Sequence, residues 1–178
     1  MDIDRDLVQK IVEQVVRAQL AGSSEGQGRI REAVPVDVGR DGIFDTVDDA
    51  VSAATDAFRK WQSVSQEVKA VCIEEMRSVS RAEARNMAQL AAAETGLGRA
   101  EDKVKKNLLQ ANKTPGLEDL KPHVFTGDRG MSLVEYSPFG VIASVTPTTN
   151  PVATIINNGI SMVCAGNAVV FNPHPRAK

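Results

Sequence analysis

The sequence predicts an α/β fold: a partial doubly wound parallel sheet, preceded by helices and by an N-terminal amphipathic helix. Apolar residues recur at steps of three and four through residues 2–20 and again through most of 42–120, the period of helices with one greasy face. Near the C-terminal end, short apolar runs at 141–145 and 168–171 flank a longer one, the pattern of a strand–helix–strand crossover. With 178 residues, 42% of them hydrophobic and 25% charged, the chain is long enough for one domain with a real core and a small appendage.

Residues 2–20 place Ile3, Leu7, Val8, Ile11, Val12, Val15, Val16 and Leu20 on a continuous stripe. Asp2 and Asp4 stand at the positive end of that helix and Arg17 near its negative end, as the macrodipole favours. Residues 21–41 are Gly-, Ser- and charge-rich without a period and read as a flexible linker. A tethered helix with Leu7, Ile11 and Val15 on its apolar stripe either docks on a partner or folds back on its own domain or a sister subunit.

From residue 42 the main domain begins. Asp45–Trp61 reads as a helix with Thr46 as its cap, and Gln66–Glu94 as one long helix stopped by Gly96 and Gly98. A further helix covers Arg99–Asn112 and ends at Thr114-Pro115-Gly116. Cys72 and the methionines fall at helical spacing and read as core filler. Gly127-Asp128-Arg129-Gly130 signals a turn, and MSLVEYSP after it reads as a strand.

Val141–Val145 is suited to a strand buried on both faces, as parallel sheets require. The rigid loop Thr146-Pro147-Thr148-Thr149-Asn150-Pro151 leads into a helix that stops at Gly166-Asn167. Ala168–Phe171 is the second strand, ending in Asn172-Pro173-His174-Pro175. Both loops then lie at one carboxyl edge, where doubly wound proteins bind nucleotides and substrates. Neither carries GxGxxG, so spacing alone names no ligand. Asn150 reads either as a helix cap or as a catalytic amide, and His174 either as a site residue or as a solvated loop histidine.

Composition narrows the functions. The 21 basic and 23 acidic residues are interspersed, which argues against a nucleic-acid partner. Two lone cysteines, with no CxxC or Cys/His cluster, suggest neither a disulfide framework nor a metal site and fit a reducing, cytoplasmic setting. The apolar runs fall far short of the ~20 residues a membrane helix needs, and no secretory signal is visible.

The stretches SPFGVIASVTPTTNP and VVFNPHPRAK, with ETGLGRAEDKVKKN and TPGLEDL before them, resemble the aldehyde dehydrogenase superfamily. PTTNP and PHPRAK are similar to its CoA-acylating branch, the propionaldehyde and acetaldehyde dehydrogenases of bacterial microcompartments. The resemblance spans about residues 42–178 and implies an aldehyde-dehydrogenase-like fold in which this stretch is the incomplete N-terminal part of the cofactor domain. It implies oxidation of a short-chain aldehyde with NAD (or NADP) and coenzyme A, through a cysteine thioester. Cofactor contacts would fall on Thr146, Pro147, Thr148 and Thr149 in the first loop and on Asn172, Pro173 and His174 in the second. Residues 1–20 resemble encapsulation tails, which implies docking on a shell protein inside a microcompartment; the family is also oligomeric.

Two departures stand out. A gapless alignment puts Thr149 where acid-forming members carry the oxyanion-binding Asn, with Asn150 one residue later. Asn172 and Pro175 replace the Lys and acidic residue that hold the adenosine ribose in those members. Neither cysteine matches the family nucleophile, which lies in a later segment. The expectation is therefore a fragment of a polypeptide that continues past Lys178, inactive alone. The alternative is a non-catalytic adaptor docking on a shell through its first helix; a bare nucleotide-binding module is disfavoured by the missing phosphate-cradling glycines.

Overall fold

The structure, a computed structural model, describes residues 42–178. The targeting helix and linker expected over 1–41, with Leu7, Ile11 and Val15, lie outside the described residues.

Four helices come first: α1 (Val47–Gln62), α2 (Gln66–Ala82), α3 (Ala84–Thr95) and α4 (Ala100–Lys113). Thr46 caps α1 as expected, its side-chain oxygen accepting the Asp49 N–H at 3.1 Å. Ser65 does the same for α2, from the Val68 N–H. Where one long helix was expected over Gln66–Glu94, the chain breaks at Glu83, whose φ of −92° and ψ of 2° lie outside the helical well. No Gly or Pro marks the break. Just past it, α3 presses Ala84, Ala88 and Ala91 inward, and the buried Asn107 side chain of α4 donates to the Ala84 carbonyl oxygen at 3.1 Å. Gly96 ends α3 at φ 65°, a left-handed conformation that glycine adopts without strain.

A short 3-10 turn (Leu117–Asp119) leads to an antiparallel hairpin, β1 (His123–Gly127) and β2 (Gly130–Val134). The turn at 127–130 was legible, but β1 was not, and β2 stops before Glu135, short of the expected strand. All ten hairpin residues are exposed, so there is no buried face to impose alternation on the sequence.

β3 (Val141–Val145), α5 (Pro151–Cys164) and β4 (Ala168–Asn172) form the expected crossover, with β3 and β4 parallel and in register from Val141 opposite Ala168 to Val145 opposite Asn172. β3 is not buried on both faces as expected: Ser144 alone is fully covered and Val145 is 74% exposed. The two strands form a sheet of their own among the described residues, so neither has a further strand on its outer edge.

The core gathers Ile73 from α2, Ala111 from α4, and Ile156, Ile160 and Cys164 from α5, with Met76 and Met87 packed against it. Ile160 is 1% exposed; burying such a side chain contributes about 1.5–3 kcal/mol. Arg77, also buried, ties α2 to the end of α4 by donating to the carbonyl oxygens of Ala111 (2.9 Å) and Thr114 (2.7 Å). Opposite that core, Val47 and Val51 of α1, Val71 of α2 and Leu90 of α3 remain exposed despite their apolar pattern. At the N-terminal end of the strands, the buried Asn167 accepts the N–H groups of Phe139 and Gly140 at 2.6 and 3.1 Å and donates to the Met162 carbonyl oxygen.

Candidate functional site

The register of β3 and β4 sets the two predicted loops side by side. Val145 stands opposite Asn172, and the Thr146 N–H donates to the Asn172 carbonyl oxygen at 3.1 Å. Thr146, Pro147, Thr148, Thr149 and Asn150 thus share one edge with Asn172, Pro173 and His174.

The loops differ in burial. Thr146 is 1% exposed, and its Oγ1 is, among the described residues, the one buried side-chain polar atom with no hydrogen-bond partner. Pro147 and Thr149 are exposed, and Thr148 and Asn150 half-buried. In the second loop Asn172, Pro173 and His174 are all exposed. His174 Nδ1 accepts the Arg176 N–H at 3.1 Å. That bond places the proton of the neutral ring on Nε2, the ring atom left for a ligand.

Asn150 does not cap α5 with its side chain. Its carbonyl oxygen accepts the Thr154 N–H at 3.1 Å and the Thr154 hydroxyl at 2.8 Å, while its Oδ1 accepts from Lys106 Nζ at 3.0 Å. One contact displaces the cap expected from the sequence: the Lys106 ammonium takes the amide oxygen. One helical turn earlier on α4, the buried Lys103 donates from Nζ to the Thr149 carbonyl oxygen at 2.8 Å. Burial, with the charge of Lys106, holds the Lys103 ammonium below the usual lysine pKa.

These lysines were missed as site residues, although the sequence carried a signal. Lys103 shares the inner face of α4 with Val104, Asn107 and Ala111, and a lysine at a core position needs a reason to be there.

Electrostatically the edge favours an anionic guest. Residues 146–151 and 172–178 contain hydroxyls, amides and an imidazole but no carboxylate, and two ammonium groups stand behind the first loop. This donor set fits a phosphate-bearing ligand, while the orphaned Thr146 hydroxyl lies enclosed beneath it. An apolar groove of about 1080 Å³ opens beside the second loop, between α1, α3 and β4; of the eight predicted edge residues only Pro173 lines it.

Neither cysteine has the character of a nucleophile. Burial raises the thiol pKa of both Cys72 and Cys164. Cys164 also ends the 14-residue helix α5, about 20 Å from its first turn at 1.5 Å per residue. No group of three metal-ligating side chains occurs among the described residues, and none of their helices is long and apolar enough to cross a membrane.

The sequence profile of the aldehyde dehydrogenase family matches residues 40–178. The chain is 46% identical over 173 residues to the acetylating acetaldehyde dehydrogenase EutE of Salmonella typhimurium, covering 96% of this chain and 35% of that protein. It therefore spans about a third of the length of that relative. Among solved structures, propionaldehyde dehydrogenase of Rhodopseudomonas palustris with bound CoA and an acylated cysteine is 48% identical, with a TM-score of 0.73 over 76% of this chain and 31% of that one. A propionaldehyde dehydrogenase from the fucose utilisation bacterial microcompartment of Clostridium phytofermentans is 44% identical, with a TM-score of 0.73 over 76% of this chain and 31% of that one.

Proposed function

The chain belongs to the aldehyde dehydrogenase family, and from that premise we propose that the protein carrying it is a CoA-acylating, NAD(P)-dependent dehydrogenase of a short-chain aldehyde. The observation that carries this reading is the edge itself: two adjacent loops rich in amides and hydroxyls, without a carboxylate, in a chain similar to acylating enzymes.

In this reading Thr146, Pro147, Thr148 and Thr149, with Asn172, Pro173 and His174, form one wall of the nucleotide site. The prolines fix the loop backbone, and the hydroxyls and amides donate to phosphate or ribose oxygens. A bound nicotinamide would supply the hydride acceptor, and a bound CoA the thiol acceptor of the acyl group. Asn150 donates its amide N–H to the aldehyde oxygen as negative charge develops there. The attacking thiolate is neither Cys72 nor Cys164, so this chain's share is binding and charge stabilisation.

The amphipathic stretch over residues 2–20, with Leu7, Ile11 and Val15, would dock on a shell protein and hold a homo-oligomeric enzyme inside a microcompartment in the cytoplasm. The microcompartment origin of the Clostridium phytofermentans relative supports this. Leu7→Glu should then leave turnover intact and abolish co-purification with shell; loss of soluble enzyme would instead mean that the stripe packs on its own protein.

The deciding assay follows NADH from acetaldehyde or propionaldehyde, with and without CoA, using the protein purified from its source. CoA-dependent NADH with acyl-CoA as product is expected. Free acid formed without CoA would overturn the acylating assignment. No NADH, together with shell binding, would favour the non-catalytic adaptor.

A further inference from the structure

Lys103 and Lys106 stand three residues apart on α4 and so project from one face. Both reach the turn that begins α5, Lys103 to the Thr149 carbonyl oxygen and Lys106 to Asn150 Oδ1. Lys103 is 7% exposed, and neither lysine has a carboxylate partner among the described residues. Two unpaired like charges beside one loop oppose folding, most of all where one is buried. Their effect on the loop is therefore the place to look for a role.

Two properties of the groups fix that effect. A lysine ammonium only donates, so the Asn150 atom facing Lys106 is the amide oxygen, and Nδ2 with its two hydrogens faces elsewhere. A trans peptide points its carbonyl and its N–H in opposite directions, so the bond from Lys103 to the Thr149 carbonyl turns the Asn150 backbone N–H away from α4. A cation on Oδ1 also draws electron density from the amide and strengthens Nδ2 as a donor.

We propose that Lys103 and Lys106 are positioning residues for the reaction, clamping Thr149 and Asn150 so that the amide presents nitrogen, not oxygen, to the aldehyde oxygen. The clamp rests on the reading of Asn150 as oxyanion donor. It also bears on the one-residue offset in this loop: the side chain that supplies the amide sits at the mouth of α5, where α4 can hold it.

The test is a double-mutant cycle in the protein carrying this sequence, reading kcat and the aldehyde KM separately. Lys106 is exposed, so Lys106→Met is expected to fold. It should lower kcat by roughly tenfold and leave KM within about twofold, the split produced by losing an interaction made in the transition state. In an Asn150→Ala background the same change should move kcat by less than about twofold, because the partner is gone. Lys106→Arg, another donor-only cation, should restore most of the rate. Asn150→Asp keeps the Lys106 contact but has no N–H; it should be as slow as Asn150→Ala while folding at least as stably. An equal loss from Lys106→Met in both backgrounds overturns the clamp and leaves Asn150 as donor. An unchanged kcat in Asn150→Ala overturns the donor assignment and the clamp with it.

Discussion

The two loops at the carboxyl edge begin from paired strand ends yet are built in opposite ways. The first is fastened on three sides: its Thr146 N–H to β4, its Thr149 carbonyl oxygen to Lys103, and its Asn150 amide to Lys106. The second carries exposed Asn172, Pro173 and His174; His174 bonds within its own turn, and a tie to α3 comes four residues later, where the Lys178 N–H donates to Glu94 Oε1 at 2.8 Å. Oxyanion stabilisation requires a donor in place before charge develops. Contact with a nucleotide along its length tolerates a surface that adjusts on binding. Under the proposed function, that contrast would assign precision to the first loop and affinity to the second.

The largest effect should come from the fastened loop. Asn150→Ala is expected to lower kcat by about 10²–10³-fold, the range for removing one oxyanion donor, with a small change in the aldehyde KM. A proportional rise in KM at unchanged kcat would make Asn150 a binding residue and erase the contrast. Next is the core beneath that loop. Ile160 of α5 packs with Ile73 and Ala111, and Ile160→Ala should cost about 2–5 kcal/mol in chemical denaturation. A cost under about 1 kcal/mol would mean that α5 is held by its loop contacts instead.

In the open loop, His174→Ala should raise the nucleotide KM by a few-fold, about 1 kcal/mol by the usual conversion, and leave the denaturation midpoint unchanged. A large fall in kcat with unaltered KM would place His174 in the chemistry and make the second loop the precise one.

How much of this could be read from the sequence follows the same division. Local signals were legible: the Thr46 cap, the Gly96 stop, the turn at 127–130 and the crossover over 141–172 rest on residues near one another in the chain. What failed depended on distant contacts. The break at Glu83 adjoins a bond from Asn107 of another helix to the Ala84 carbonyl oxygen, and β1 carries no buried face to show alternation. At the site, the sequence brought the loops together, because strand ends are local features. It misjudged Asn150 as a possible side-chain cap because the atom that takes the amide oxygen lies 44 residues earlier in the chain. A lysine on the buried face of α4 hinted at that contact but could not name its partner.

The thiols provide the smallest and cleanest check, because they belong to neither loop. Burial is the first cause of the raised pKa of both Cys72 and Cys164. The sign follows from the neutral thiol being favoured in the folded state. Each group's stabilising contribution is full below the unfolded pKa, 9.0 here, and is lost as pH rises through the higher folded value. At pH 8 in the native protein, iodoacetamide should therefore modify both more slowly than a free thiol, Cys164 slowest of all, and in denaturant both should react at the free-thiol rate. Located by peptide mapping, label on these two should lag behind any loss of kcat. Fast native labelling of Cys164 with loss of activity would place an activated thiolate at the far end of α5, about 20 Å from Asn150, and the fastened loop could no longer be the seat of the chemistry.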